Sequence, residues 1–252
     1  MATVRDILEL LEGIAPLETQ EEWDNAGLLA GDPAAQVTRV LVALDLTLEV
    51  VEEAERLGAQ LIVTHHPILF RGRKNLREDD AEGRLLAALI RARLAMIAMH
   101  TNFDNAEGGV NSALCERLGI RESQPLTSGM RIGEIDPMPL ADFRRHVETR
   151  LGGAVRAYGA MNKIIRRVAV LGGAGGGYAS IALAAGADAY VTGEFSYHAA
   201  LDCAAAGMAA LEAGHAATEW PAVHVLREGL QKAINAVQYN VETFESAHRP
   251  FL

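Results

Sequence analysis

The sequence is poor in the residues that support several common protein chemistries. Its 252 residues include only two cysteines, Cys115 and Cys203, and aromatic residues make up 5% of the chain. The two cysteines lie far apart and fit no metal-binding or redox spacing, so a disulfide framework is not expected. No serine lies in the strand–turn–helix context of a nucleophile elbow, which argues against a serine hydrolase of that type.

Positive charge and long apolar runs are also scarce. Lysine and arginine number 23 against 33 aspartate and glutamate, which gives a formal net charge of −10. This negative charge does not favour sequence-independent binding to the phosphate backbone, so we do not expect nucleic acid as a partner. The basic run FRGRKNLR at 70–77 is a local exception, which we interpret as a solvated loop. Charges interrupt every apolar run, and the N-terminal helix lacks the apolar centre of a signal peptide, so we expect a soluble, cytoplasmic protein with no membrane partner.

What the chain does contain is a regular alternation of strands and helices. Half of the residues are apolar, which is enough for a sizeable core. The strand-like segments VTRVLVALDLT, AQLIVTHHPI and AMIAMHTNFDN alternate with helical segments, as is typical of an α/β sheet. After residue 120, the turn residues and prolines of RESQPLTSGMRIGEIDPMPLA indicate a linker or domain edge, and further strand–helix pairs follow.

Two short internal echoes suggest that the halves of the chain are related. GAQLIVTHH at 58–66 matches GADAYVTGE at 186–194, and each runs from a helix cap through a strand into polar residues. His100 precedes Asp104 by four residues, and His215 precedes Glu219 by the same spacing. We therefore predict two related α/β domains with mixed sheets flanked by helices. The first would cover 1–124 and the second 125–252, with the C-terminal strand able to pack back on the first.

Imidazoles and carboxylates follow successive predicted strands. The set consists of His65, His66, His100, Asp104, Glu194, His198, His215 and Glu219. In open α/β sheets, ligands bind beyond the carboxyl ends of the strands, and these side chains are common ligands of zinc, iron, manganese and nickel. A single histidine after a strand is more often a capping or core residue, but its recurrence at successive strands favours a metal site.

The adjacent pair His65 and His66 raises a geometric question. Neighbouring side chains in a strand point to opposite faces, so a regular strand would separate the two rings. Pro67 cannot donate a hydrogen bond to the ladder, and it therefore disturbs the strand at this point. Both rings could then turn into one cavity that holds two metal ions, which in such sites lie about 3.5–4 Å apart.

The glycine-rich stretch GGAGGGY at 172–178 has two interpretations. Its backbone N–H groups could cradle a phosphate ahead of a helix. It lacks the lysine of a P-loop, and it does not match the dinucleotide-binding pattern convincingly. A tight strand-to-helix turn explains it at least as well.

Five segments together resemble the signature of the NIF-three-like family, which is widely labelled the GTP cyclohydrolase 1 type 2 homologue family. In chain order they are EEWDNAGLLAGD, IVTHHPILF, MHTNFDNAEGGVNSALCERLGI, VTGEFSYH and AGHAATE. The resemblance spans nearly the whole chain. The sequence is similar to the short bacterial form, which lacks the domain that longer members insert in mid-chain.

The resemblance implies two α/β domains with a dinuclear metal centre in the cleft between them. The ligands it implies are His65, His66, Asp104, His215 and Glu219, with Glu219 as the carboxylate shared by both ions. His100 and Glu194 lie in matching motifs, and we predict that they support the ligands or act in acid–base catalysis. The cofactor would be two divalent ions per chain, drawn from zinc, iron, manganese and nickel. The family also implies a homo-oligomer, a ring-like hexamer.

The family label implies that the guanine imidazole ring of GTP is opened and formate released. Two bridged metal ions lower the pKa of a bound water, which suits hydrolysis of an amidine carbon, a phosphoester or a peptide. We therefore predict a metal-dependent hydrolase that acts on a small molecule, with a nucleotide as the substrate that the label names. The alternative is a non-catalytic metal carrier or a ring-shaped binding scaffold. Coordination separates the two, because a catalytic centre keeps an open position and a structural site does not.

Overall fold

The computed structural model describes residues 1–249 and divides them into two compact units. Unit 1 contains Met1–Ala106 together with the described residues from Val223 onward, and unit 2 contains Glu107–Ala222. Each unit is built from a mixed β-sheet flanked by helices. The predicted α/β class, with two mixed sheets, is therefore confirmed.

The regular elements alternate along most of the described chain. The strands are β1 (Ala2–Thr3), β2 (Gly27–Ala30), β3 (Gln36–Val37), β4 (Arg39–Ala43), β5 (Leu61–Thr64), β6 (Ala95–Ala98), β7 (Arg121–Thr127), β8 (Met130–Pro139), β9 (Arg156–Tyr158), β10 (Ile164–Leu171), β11 (Ala189–Thr192), β12 (Ala209–Glu212) and β13 (Glu242–Glu245). The helices are α1 (Val4–Glu12), α2 (Leu48–Leu57), α3 (Ala81–Arg91), α4 (Thr101–Asn105), α5 (Val110–Leu118), α6 (Leu140–Leu151), α7 (Ala179–Ala184), α8 (Tyr197–Ala205) and α9 (His215–Ala236).

Unit 1 is organised around a five-stranded sheet with the order β13-β4-β5-β6-β2. Its first four strands run parallel, and β2 pairs antiparallel with β6 at one edge. All four residues of β5 are buried, as expected for an interior parallel strand whose two faces are covered. Ile62 of this strand packs in a core cluster with Leu41, Val50 and Leu89. This packing fixes the strand end from which His65 and His66 emerge.

The extents of the units differ from the predicted division at residues 124 and 125. Unit 1 ends at Ala106, and the chain rejoins it at Val223, within α9. The helix α5 belongs to unit 2, because its Leu114 and Leu118 pack in a core cluster with Phe143 and Val168. The last strand, β13, pairs in parallel with β4 and so extends the sheet of unit 1.

Unit 2 contains a six-stranded sheet with the order β7-β8-β10-β11-β12-β9. The strands β10, β11 and β12 run parallel, and the remaining pairings are antiparallel. Of the two alternatives predicted after residue 120, a linker or a domain edge, the linker is wrong, because β7 and β8 form a hairpin at the edge of this sheet. Ser128 and Gly129 form its two-residue turn with φ values of 37° and 75°, the positive values that such turns require. Pro125 is tolerated because β7 is an edge strand.

The internal sequence match between residues 58–66 and 186–194 corresponds to equivalent strands in the two sheets. GAQLIVTHH contains β5, which lies between the parallel strands β4 and β6. GADAYVTGE contains β11, which lies between the parallel strands β10 and β12. Both strands end at a buried threonine, Thr64 and Thr192, immediately before the polar residues of interest. Among the described residues, no helix combines the length and apolar character needed to cross a bilayer.

Candidate metal centre

The histidine pair lies just beyond the end of β5. The backbone N–H groups of His65 and His66 donate to the carbonyls of Ala43 and Leu44, at 3.2 and 3.0 Å. The Thr64 hydroxyl donates to the His66 carbonyl at 2.7 Å, which closes a local turn. The two ring centroids are 4.9 Å apart, so the adjacent imidazoles lie side by side. The strand is therefore disturbed here, as the argument from Pro67 predicts.

His100 joins this pair from the next parallel strand. It follows β6 and stands at the N-cap position of α4. Its ring centroid is 5.2 Å from that of His65 and 5.6 Å from that of His66. The three residues offer ligand atoms that all lie within 4.8 Å of one another, a spacing compatible with a shared metal ion.

The three rings share one hydrogen-bonding pattern, in which Nδ1 faces an oxygen that can only accept. The acceptors are the Met99 carbonyl for His65 at 2.8 Å, Asp45 Oδ1 for His66 at 2.8 Å and Asp24 Oδ1 for His100 at 2.7 Å. Each Nδ1 must therefore carry the proton and donate it. The lone pair of each neutral ring is then on Nε2, which is the arrangement that metal-ligating histidines adopt.

Asp24 is the most enclosed of these supporting groups. Its Oδ2 accepts the backbone N–H of Thr101 at 3.0 Å and also the Thr101 hydroxyl. Burial alone would raise the pKa of Asp24, but the hydrogen bonds from His100 and Thr101 outweigh it and hold the pKa well below its usual range. The carboxylate is therefore charged at neutral pH, and it fixes the His100 ring.

Asp104 lies on the short helix α4 and not in a loop. Its backbone N–H donates to the His100 carbonyl at 3.0 Å, so one helical turn brings the two residues to the same side. Its Oδ1 lies 3.8 Å from His65 Nε2. Unit 1 thus gathers three imidazoles and one carboxylate from the ends of β5 and β6.

Unit 2 carries a second histidine–carboxylate set. His215 begins α9, and Glu219 lies one turn later, with Oε1 3.2 Å from His215 Nε2. Glu219 is buried. On its other side, the His215 ring donates from Nδ1 to Glu194 Oε1 at 2.7 Å. Glu194 follows β11, and it orients His215 as Asp45 and Asp24 orient their histidines in unit 1.

The glycine-rich stretch lies directly against this second set. A Cβ on Gly173 would lie 2.2 Å from Glu219 Oε1 and 3.1 Å from His215 Nε2, and the residue has a φ of +66°. A Cβ on Gly193 would lie 2.7 Å from the Cα of His215. The Gly173 N–H donates to the Thr218 hydroxyl at 3.0 Å. These glycines are explained by close backbone approach to α9, which favours the tight-turn interpretation over a phosphate cradle.

The basic run at 70–77 is largely engaged with nearby acids. Arg73 forms ion pairs with Asp80 and Glu82, each at 2.7 Å, and Arg77 pairs with Asp79. Its residues are mostly exposed. These observations agree with a solvated loop.

Two supporting carboxylates are absent from the sequence-based predictions. Asp45 follows β4, so the strand-end argument that selected His65 would also have selected it. Asp24 lies in a loop 76 positions before His100, and no periodic signal connects the two. His100, which the sequence suggested as a supporting or acid–base residue, also offers a ligand atom within 4.8 Å of those of His65 and His66.

Two α/β units that each carry oriented histidines and carboxylates define a class of candidate metal-binding proteins. Comparison with known sequences then places the chain within that class. Residues 2–250 match the family described as Duf34/NIF3 (NGG1p interacting factor 3), and the chain belongs to this family. The resemblance inferred from the five motifs is therefore confirmed.

Individual relatives agree with this assignment. A Clostridium perfringens protein named "GTP cyclohydrolase 1 type 2 homolog" is 34% identical over 243 residues, covering 92% of this chain and 93% of the relative. The crystal structure of a Bacillus cereus protein related to NIF3 has a TM-score of 0.96 at 26% identity and covers 100% of this chain and 99% of its own. A Staphylococcus aureus hypothetical protein has a TM-score of 0.93 at 31% identity, with 99% and 98% covered.

Proposed function

We propose that this protein is a metal-dependent hydrolase in which the two histidine–carboxylate sets serve one dinuclear centre. The residues that would hold the ions are His65, His66, Asp104, His215 and Glu219. The observation that carries the proposal is the common orientation of the imidazoles. All three of the proposed histidine ligands direct Nδ1 to an oxygen that can only accept, so Nε2 offers its lone pair.

The donor set fits divalent first-row ions, since imidazole nitrogen and carboxylate oxygen suit zinc, iron, manganese and nickel alike. When bound, such ions supply a water of lowered pKa and polarise a substrate oxygen. The chain itself orients the ligands through Asp45 and Glu194. Five protein ligands leave positions around two ions for water and substrate, as hydrolysis requires. His100 and Glu194 are the proposed acid–base or supporting groups.

We propose a nucleotide as the substrate, with GTP as the first candidate. The support is the name "GTP cyclohydrolase 1 type 2 homolog", which relatives from Clostridium perfringens and Streptomyces coelicolor carry at 34% identity. The corresponding reaction opens the guanine imidazole ring by hydrolysis and releases formate. We also propose that the protein acts in the cytoplasm. Its proposed assembly is a ring-like homohexamer, and native mass spectrometry would test the number of chains.

Metal analysis tests the site independently of any substrate. We compare the purified wild type with a His65→Ala, Glu219→Ala double variant after loading with each candidate ion. The wild type should retain two ions per chain, and the double variant should lose most of them. The matched control is His224→Ala, Glu245→Ala, which removes another histidine–carboxylate pair whose Nδ1–Oε2 distance is 3.0 Å. Equal, near-zero metal in the wild type and the double variant would refute the site.

A non-catalytic metal carrier or ring-shaped scaffold is the second candidate. The observation that favours it is the grouping in unit 1, where three imidazoles and Asp104 together could supply four protein ligands. Four protein ligands can close the tetrahedral coordination of a structural zinc ion. Turnover separates the candidates. If the metal-loaded protein hydrolyses nothing in a panel of nucleotides, phosphoesters and peptides, the carrier is favoured.

A further inference from the structure

We propose that Trp23 and Phe70 form a stacking site for a planar heteroaromatic ring, placed beside the histidines of unit 1. The proposal rests on the proposed function in one respect, because the ring is taken to be that of the hydrolase substrate. It assigns a specificity role to two residues outside the ligand set.

The two aromatic side chains are unusually exposed for their size. Trp23 is 58% exposed and Phe70 is 44% exposed, whereas the second tryptophan of the chain, Trp220, is only 9% exposed. Aromatic rings contribute much of the apolar area of cores and interfaces, and adjacent exposed rings often mark a binding surface. Aromatic residues are few in this chain, so two exposed rings in contact with each other indicate a binding surface.

The rings lie directly against the histidine group. The centroids of Trp23 and Phe70 are 5.7 Å apart and tilted by 58°. Both stand edge-on to His100, at 6.1 Å for Trp23 and 6.2 Å for Phe70. His100 in turn lies 5.2 Å from His65. Because the two rings are tilted, a flat ligand would stack on the face of Trp23 and meet Phe70 at its edge, with one of its own edges toward the imidazoles.

The hydrogen bonds that orient His100 also hold the aromatic pair. Asp24, which accepts from His100 Nδ1 at 2.7 Å, is the residue after Trp23. Asn25 donates from Nδ2 to the carbonyl of Leu69, the residue before Phe70, at 2.5 Å. One loop thus carries Trp23, orients the His100 ring and is tied to the backbone beside Phe70. Because the site is ordered in advance, ligand binding would spend little free energy on arranging it.

The chemistry of the pair selects a ring and not a phosphate. A face of Trp or Phe stacks on any heteroaromatic ring, since every base offers a π-face. The larger purines should bind better than pyrimidines, because they cover more of the two rings. A sugar phosphate without a base offers no such face and should not be held here.

The test is a calorimetric titration with guanosine, adenosine, uridine and ribose 5-phosphate, on metal-loaded and on metal-stripped protein. We expect both forms to bind the purine nucleosides and uridine to bind more weakly. The metal-stripped form should not bind ribose 5-phosphate, since it holds no ions that could bind the phosphate. Trp23→Leu should weaken guanosine binding about five- to hundred-fold, and Trp23→Phe should retain most of it. The matched control is Ile90→Ala, since Ile90 lies on α3 of the same unit and is also 58% exposed. It should bind as the wild type does.

Wild-type affinity in Trp23→Leu would overturn the stacking site, as would failure of both protein forms to bind any nucleoside. A changed molecular mass for Trp23→Leu in light scattering, with nucleoside binding intact, would also overturn it, because the pair would then be a contact between copies. The proposed function fails separately. Nucleoside binding by a protein that holds no metal would refute the metal centre alone, and metal retention without nucleoside binding would refute the stacking site alone.

Discussion

The two units orient their histidines in the same way but support them differently. In unit 1, two aspartates, Asp24 and Asp45, orient His100 and His66. In unit 2, Glu194 orients His215, and a glycine-rich backbone packs against the His215–Glu219 pair. Unit 1 therefore depends on a hydrogen-bonded network of buried charge, and unit 2 depends on close steric fit.

The difference in support is matched by a difference in exposure. His65 is 2% exposed, and the Asp24 side chain is wholly buried. By contrast, the side chains of His215 and Glu194 are 36% and 57% exposed. Electrostatic support is stronger where water is excluded. Around the histidines, we therefore expect charge-removing substitutions to matter most in unit 1 and volume-adding substitutions to matter most in unit 2.

The largest effect should come from Gly173→Ala in unit 2. The new Cβ would lie 2.2 Å from Glu219 Oε1, and the φ of +66° is unfavourable for alanine. We expect a loss of about 1–2 kcal/mol in the free energy of unfolding, mainly from the strained backbone, since the displaced atom is the tip of a side chain. Metal retention should fall with it, because Glu219 must move. Chemical denaturation and metal analysis measure the two effects.

The same stretch provides a matched control for this substitution. A Cβ on Gly177 would meet nothing within 4 Å, and its φ is not in the left-handed region. Gly177→Ala should therefore leave both the free energy of unfolding and the metal content close to those of the wild type. Equal behaviour of the two variants would show that close fit does not support the second set.

The next largest effect, on zinc affinity, should come from Asp24→Asn in unit 1. Asparagine keeps the shape but removes the charge that faces His100 and both donors of Thr101. His100 is not one of the five proposed ligands, but its ring packs against His65 and His66, so its displacement should disturb both. We therefore expect zinc affinity to fall within the range of about 10–100-fold that is typical of supporting residues. Asp45→Asn should lie at the lower end of that range, because the Asp45 side chain is partly exposed. Calorimetric titration with zinc measures both.

The exposed carboxylate of Asp79 controls for the loss of charge in unit 1. It pairs with Arg77 on the surface, where ion pairs contribute little. Asp79→Asn should bind zinc as the wild type does. If Asp24→Asn also binds zinc with unchanged affinity, the buried network is not what orients the first set.

Much of this arrangement is predictable from sequence because the strongest signals are local. The β-branched run before His65 predicts β5, and the match between GAQLIVTHH and GADAYVTGE corresponds to equivalent strands of the two sheets. Turn chemistry is more ambiguous. Pro125, Ser128 and Gly129 suit a linker as well as an edge hairpin, and only the pairing of β7 with β8 distinguishes them.

The supporting groups are harder to predict because they depend on tertiary contacts. Asp24 and His100 are 76 positions apart in the sequence, and no local pattern or spacing predicts that they are in contact. The role of Gly173 is similar, since it arises from the approach of α9 to the end of β10. Strand ends therefore indicate the candidate ligands, and the folded chain shows which groups orient them.

The smallest effect should come from Glu194→Gln, which removes the exposed supporting carboxylate of unit 2. Glutamine can still accept the proton of His215 Nδ1 through its amide oxygen, so the tautomer is kept and only the charge is lost. Because the Glu194 side chain is 57% exposed, we expect zinc affinity to fall by about tenfold or less, the weak end of effects at supporting residues. Glu212→Gln, at the end of the neighbouring strand β12 and paired with Arg156, serves as the control. A loss for Glu194→Gln as large as that for Asp24→Asn would show that exposure does not separate the two units, and that both depend equally on charge.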